Sequence, residues 1–305
     1  MKPMFKKSGA GNQAGGRPPA AVEITPEGVL AAASPGASQP LVHAFAPLPA
    51  GAITPAIEGT NVHDPGAVSN AIRTALDEVS PRIHAVTLVL PDTLVRVFML
   101  DFDSIPGKSA DAISVVRFRL RKMVPFDVEP AGVSYQVLSQ SETECKVLAA
   151  VVPGPVLAEY EAAVRAAGYE PGAVLSSSLA ALEAVDEMEA VMAANLSAHA
   201  ITTAITNGQD LLLYRTLDLP QDAHQRFYEI QRSIAVAAAY YEDKLGSRPR
   251  RLHFAGNESA DVFATSVADP ELTVVDWVPR PESGAMTTLP QTSFAGVAGA
   301  LAGAR

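Results

Sequence analysis

Ile201-Thr202-Thr203-Ala204-Ile205-Thr206-Asn207-Gly208-Gln209-Asp210-Leu211-Leu212-Leu213-Tyr214-Arg215-Thr216 is the stretch on which the fold turns. Two runs of β-branched and apolar residues flank Asn207-Gly208. That dipeptide is a strong hairpin signal, because both central residues of the tight turn need positive φ. A similar pattern stands near the start of the chain. Ala20 to Ile24 reads as a short strand, Pro26-Glu27-Gly28 as a turn, Val29 to Ala33 as the returning strand and Leu41 to Leu48 as a third. A helix and a strand follow in both places. The first helix opens at Asp64-Pro65, with Asp at the N-cap and Pro at the first helical position, and buries Val68, Ile72, Leu76 and Val79. Ile83 to Leu90 is the apolar strand after it. The second helix, Asp222 to Leu245, carries Phe227, Ile230, Ile234, Ala238 and Tyr241 on one stripe. Strand Arg251 to Ala255, a short helix near Glu258 to Val267, strand Leu272 to Val275 and a small-residue helix, Phe294 to Leu301, complete the copy. The copies are too divergent and too far apart for a solenoid, so the reading is a duplicated α/β domain.

Between the copies lies a β-rich insertion. Pro91-Asp92 separates Val86–Leu90 from Leu94–Leu100 and reads as a further hairpin. A helix from Ser109 to Met123 stops before Pro125, since the residue preceding proline disfavours helix. Strands Val133–Leu138 and Lys146–Val152 follow, then a helix from Pro155 to Ala167 ended by Gly168, and Ser176 to Met188 as a further helix. The domains expected are a disordered tail over 1–19, the N-terminal part of a first lobe over 20–85, an inserted subdomain and return to that lobe over 86–175, and a second lobe with the C-terminal helix over 176–305.

A chain of 305 residues, 48% of them hydrophobic, can build two cores and is not disordered as a whole. Its formal charge of −10 removes a general electrostatic case for nucleic-acid binding. Cys145 is the only cysteine, so no intramolecular disulfide forms, as suits a reducing compartment. Lys2, Lys6 and Lys7 are followed by Ser8-Gly9-Ala10-Gly11, not by the apolar run of a signal peptide. Ala235–Tyr241 and Ala295–Ala304 fall short of the ~20 residues of a spanning helix, so any membrane contact is expected to be peripheral or through a partner.

Chemical motifs are sparse. No Gly-x-x-x-x-Gly-Lys-Ser/Thr occurs, and His43, His63, His84, His199, His224 and His253 never pair at metal-ligand spacing. Ser176-Ser177-Ser178 lacks the glycines of a nucleophile elbow and reads as a helix cap; Cys145 reads as a small buried hydrophobe. Arg117-Phe118-Arg119-Leu120-Arg121-Lys122 is the densest positive run of an acidic chain. Arg117, Arg119, Arg121 and Lys122 are either a solvated face or a docking site for an acidic partner or membrane surface.

One ordered series of motifs narrows the reading. Leu88-Val89-Leu90-Pro91-Asp92, Val95-Arg96, Arg117-Phe118, Pro125-Phe126 and Val133-Ser134-Tyr135-Gln136-Val137-Leu138 resemble the inserted subdomain of PilM, the actin-like component of type IV pilus assembly. Tyr160-Glu161, Ala166-Ala167-Gly168 and Ala295 to Leu301 are similar to that family's later helices. The resemblance covers roughly residues 20 to 302. It implies an actin-like ATPase fold with duplicated lobes and an inserted β-rich subdomain. It further implies a cytoplasmic protein, peripheral at the inner membrane, that binds the cytoplasmic tail of a PilN-like bitopic pilus protein in a groove between a lobe and the insertion. The alternatives are an active or weakly nucleotide-binding ATPase of a pilus, or the related component of a type II secretion system.

In that fold, hairpin turns present backbone N–H groups to phosphates and an Asp holds the metal, with glycines allowing close approach. Related proteins read Gly-x-Asp-x-Gly-Ser/Thr where this chain reads Val22-Glu23-Ile24-Thr25-Pro26-Glu27-Gly28. Pro26 removes a donor and Glu27 adds negative charge. The second phosphate hairpin falls on Asn195 to Ala200, with neither Asp nor Gly, and the adenosine-side loop is Phe254-Ala255-Gly256-Asn257-Glu258, with one glycine. Were a nucleotide to bind, Glu23, Thr25, Gly256 and Asn257 would face it. The expectation is a non-catalytic scaffold with no cofactor and no metal.

Overall fold

The computed structural model describes residues 17–34, 41–79, 82–185, 189–267, 269–278 and 293–302. The chain divides into two units, 1–183 with 296–305, and 184–295.

The first unit is built on a five-stranded sheet. β1 (Ala20–Thr25) turns into β2 (Gly28–Ala33), and β3 (Val42–Pro47) pairs outside β2, all antiparallel. β1 also runs parallel to β4 (Ala85–Leu90), which runs parallel to β8 (Glu170–Ser176), giving the order β3-β2-β1-β4-β8. The near-continuous burial of β1, β2 and β4 explains their unalternating apolar runs, since a strand covered on both faces has no polar side. Helix α1 (Pro65–Val79) packs on β2 and β3 through Val68, Ile72, Ala75 and Leu76. Its first turn is capped by Asp64, whose Oδ1 accepts the Ala67 N–H at 2.9 Å.

The insertion is a separate three-stranded antiparallel sheet, ordered β5 (Arg96–Phe102), β7 (Cys145–Val152), β6 (Gly132–Gln140). Helix α2 (Ser109–Leu120) covers one face with Val116 and Leu120, against Leu100, Val133, Val147, Ala149 and Val151. Cys145 is fully buried in this core. Helix α3 (Gly154–Ala166) returns the chain to β8.

The expected hairpin at Pro91-Asp92 does not form. A 3-10 turn over Asp92–Leu94 carries the chain out of the five-stranded sheet, and β5 pairs with β7 instead of β4. Both segments are extended and a turn lies between them, but β4 is already hydrogen-bonded on both edges, to β1 and β8. The helix expected over Ser176–Met188 is limited to α4 (Ser177–Leu182), and residues 186–188 lie outside the described set.

The second unit repeats the plan. β9 (Ala190–Leu196), β10 (Ala200–Asn207) and β11 (Asp210–Asp218) form the meander, and β9 runs parallel to β12 (Arg251–Gly256), which runs parallel to β13 (Thr273–Asp276). The order β11-β10-β9-β12-β13 is the first unit's order with each strand in the equivalent place. The hairpin forms, but its two-residue loop is Gly208-Gln209, closed by the Asn207–Asp210 pair, so the turn sits one residue later than expected and only Gly208, at φ 57°, has positive φ. Helix α5 (Ala223–Leu245) begins at Asp222, whose side chain accepts the Gln225 N–H, and ends at Gly246 with φ 68°. Its Ile230, Ile234, Ala237 and Tyr241 join Met192, Ile205, Leu252 and Phe254 in one core, completed by Phe263 of α6 (Ala260–Ala264). The Phe254 and Phe263 rings stack 3.9 Å apart.

Three expected boundaries move. The first unit extends to Glu183, because β8 and α4 pack with β4. Helix α7 (Ala295–Ala302) belongs with the first unit from Gly296 onward, not with the second lobe. Of the expected tail, residues 1–16 lie outside the described set, but Arg17 to Pro19 are part of the unit. Arg17 is buried and 3.3 Å from Glu183, and the Pro19 carbonyl accepts the Ser34 N–H at 3.0 Å. Among the described residues no helix is long and apolar enough to cross a membrane.

Candidate functional site

β1 delivers Glu23 to the centre of the first unit. Its neighbours in the strand are apolar and buried, and at 5% exposure Glu23 is as enclosed as they are. Burial pushes its pKa up to about 8; the Ser177 hydroxyl donates to the carboxyl and opposes this, and the charge of Asp92 adds to it. Oε2 has no hydrogen-bond partner, which a neutral carboxyl tolerates far better than an ionised one.

The cluster around Glu23 comes from four places in the chain. Asp92 sits where β4 ends, and its carboxylate accepts both the N–H (3.0 Å) and the hydroxyl of Ser178. This caps α4 from outside the helix, a role expected of the serines themselves; the N-cap, Ser176, makes no side-chain cap bond. Helix α7 closes over the top. A Cβ on Gly296 would lie 2.6 Å from Glu23 Oε2 and 2.8 Å from Ser177 Oγ, and Gly299 rests directly on the backbone of Ala180 and Ala181. Two glycines three apart therefore let the helix backbone settle on the cluster. Sequence reasoning found Glu23 by strand position but missed Asp92 and Ser178 as its surroundings. The Leu-Pro-Asp and triple-serine motifs were the available signals.

The β1–β2 turn holds Thr25 in a local role, its hydroxyl donating to the Gly28 carbonyl at 3.1 Å. Gly28 is glycine for packing: a Cβ there would stand 2.5 Å from the Ala46 carbonyl oxygen. In the second unit the matching turn joins β9 to β10. Ser197 replaces a glycine-rich loop with its own side chain, Oγ accepting the N–H groups of His199 (3.3 Å) and Ala200 (3.0 Å). Gly256 ends β12, where a Cβ would meet the Phe254 ring at 2.6 Å and the Leu196 carbonyl at 3.0 Å. Asn257 follows it, half-buried, before Ser259 caps α6. Glu23 and Thr25 thus belong to the first unit, and Gly256 and Asn257 to the second. Among the described residues, no group of three or more His, Cys, Asp or Glu side chains could hold a metal ion.

The four cations at the end of α2 and just after it do not act as a set. Arg117 points back under the helix, and its Nη1 donates to the carbonyls of Val128, Glu129 (3.1 Å) and Ala131 (3.1 Å), fastening the loop that leads to β6. Arg121 pairs with Glu129. Arg119 and Lys122 are exposed beside Phe118, itself 66% exposed.

The two units, each a meander extended by two parallel strands, have counterparts among solved structures. The PilM-PilN type IV pilus biogenesis complex matches with a TM-score of 0.70 at 19% identity, over 94% of this chain and 98% of the other. The chain has the actin-like fold. The cytoplasmic domain of EpsL, an inner-membrane component of the type II secretion system of Vibrio cholerae, matches with a TM-score of 0.51 at 14% identity, over 93% of each chain. A protein of actin-like ATPase fold and unknown function from Bacteroides thetaiotaomicron gives 0.47 at 10% identity, over 84% of this chain and 90% of the other. No family model matches the sequence, and no curated protein matches it as a relative.

Proposed function

We propose that this chain is a non-catalytic actin-fold scaffold of a type IV pilus inner-membrane platform, which works in the cytoplasm and binds the cytoplasmic tail of a PilN-like bitopic protein. The observation that carries the proposal is the full-length likeness to PilM in its complex with PilN. The non-catalytic part is supported by Glu23, the one acidic residue in the first phosphate-turn strand, which is buried under α7 with its pKa raised to about 8. A carboxyl held neutral and covered is badly placed to ligate a magnesium ion.

For the tail, the inserted sheet offers the face opposite α2. Alternation along the strands puts Val97 and Met99 of β5 and Gln136 of β6 there, around Leu148 and Ala150 of β7. Val97 and Met99 are only half-buried, and Gln136 Oε1 is buried with no hydrogen-bond partner. An extended peptide laid on this face would cover the half-buried Val97 and Met99.

The test is titration of the full chain with a synthetic peptide of the PilN-like partner's cytoplasmic tail. Saturable binding that Met99→Glu abolishes is the expected result. Absence of binding, together with a magnesium-dependent thermal shift on ATP, overturns the scaffold reading in favour of an ATPase.

A further inference from the structure

The outer face of α2 is a knob of mixed character. Phe118 and Lys122, four apart, lie on the side away from the buried Ala112, Val116 and Leu120, and Arg119 and Met123 flank them at the exposed C-terminal end, where the chain continues as a turn through Arg121 and Met123. Phe118 is 66% exposed and Met123 41%, and between them stand the exposed cations Arg119 and Lys122. Burial gives Phe118 and Met123 no reason to be apolar. The other two cations of the run are spent internally, Arg117 on three carbonyls and Arg121 on Glu129, so Arg119 and Lys122 carry the outward charge.

We propose that Phe118, Arg119, Lys122 and Met123 form a contact site for an anionic lipid surface, with the two apolar side chains entering the headgroup–acyl boundary and the two cations meeting lipid phosphates. Charge selects this occupant. An anionic bilayer repels a chain of net charge −10, except where it turns a positive end outward. A phenylalanine exposed to 66% beside two cations matches the apolar-and-basic composition of elements that insert shallowly at the headgroup–acyl boundary. The site is distinct from the Met99 face and does not depend on the partner assigned above.

Flotation of the full chain with phosphatidylcholine vesicles, and with vesicles of phosphatidylcholine and phosphatidylglycerol, tests this. Binding to the anionic vesicles alone, weakened as salt rises, is expected. At about a fivefold loss per cation removed, Arg119→Gln with Lys122→Gln should weaken it about twenty-five-fold. Phe118→Trp should retain binding and shift its emission to the blue on the anionic vesicles, while the buried Trp277 supplies a constant background. Equal flotation with both vesicles, or full binding by the double variant, overturns the proposal. So does a double variant that loses capture of the partner-tail peptide while the parent ignores lipid, which would make the knob a peptide site.

Discussion

Gly296 and Glu23 touch across 273 positions of sequence, so closely that a methyl group on the glycine would stand 2.6 Å from the carboxyl oxygen. In an exposed helix interior, Gly→Ala gains about 1 kcal/mol. Here the added carbon has to displace either the helix or a fully buried side chain. Gly296→Ala should therefore reverse the usual sign and cost about 1–3 kcal/mol, the range of core overpacking. A thermal melt decides it: an unchanged or raised Tm would mean that α7 does not rest on Glu23.

Glu23 makes stability depend on pH in a stated direction. Its pKa rises from an ordinary 4.5 when unfolded to about 8 when folded, so between these values the folded state binds more protons. Stability should therefore fall as pH rises from about 4.5 towards 8, then level off. At ~1.4 kcal/mol per pKa unit the full cost is a few kcal/mol. Glu23→Gln keeps the shape and removes the ionisation. The variant should match the parent near pH 5, exceed it in Tm at pH 8, and show a flatter profile between. Parallel profiles for the two proteins would refute the burial account.

How much of this was legible follows from how local each signal is. Gly208 announces its hairpin because the turn's own positive φ demands glycine there, and Asp64 and Asp222 announce helices because their side chains accept first-turn N–H groups. Pro91-Asp92 misled because a turn signal says that the chain bends, not which strand it will pair with; β1 and β8 had already taken both edges of β4. β9 was not assigned, since Ala190-Val191-Met192-Ala193-Ala194 has no alternation and small residues suit helix as well as strand. Asp92 capping Ser178 spans 86 positions and leaves no periodic trace. The charge run showed four cations, but only coordinates separate Arg117 and Arg121 from Arg119 and Lys122.

That separation predicts opposite outcomes within one helix. Arg117→Ala strips donors from the carbonyls of Val128, Glu129 and Ala131 and should destabilise the chain by about 1–3 kcal/mol. Arg119→Ala removes an exposed charge and should stay within about 0.5 kcal/mol of the parent. Equal losses in denaturant unfolding would show that the loop is not fastened through Arg117.

ATP with magnesium should not raise the Tm. Pro26 and Glu27 occupy the first turn, Ser197 fills the second with its own hydroxyl, and Glu23 is covered. A ligand at 100 times its Kd would stabilise the folded state by ~2.7 kcal/mol, a readily visible shift. A magnesium-dependent rise at millimolar ATP would return the chain to the ATPase reading.

The N-terminus divides at Gly16. Residues 1–16 are rich in Gly and Lys with no periodic apolar set, so their removal should leave the Tm unchanged. Arg17 to Pro19 are different in kind. Arg17 is 8% exposed and paired with Glu183, Pro18 lies against Gly172, and the Pro19 carbonyl holds the Ser34 N–H next to β1. Breaking a buried pair takes the Arg17 charge away from Glu183, and losing Pro19 shortens the hairpin ladder by one bond. Deleting 1–19 should thus lower the Tm by several degrees, where deleting 1–16 does not. Arg17→Ala in the full chain should reproduce most of that loss, which ties it to the ion pair and not to chain length; a silent Arg17→Ala would assign the effect to Pro18 and Pro19.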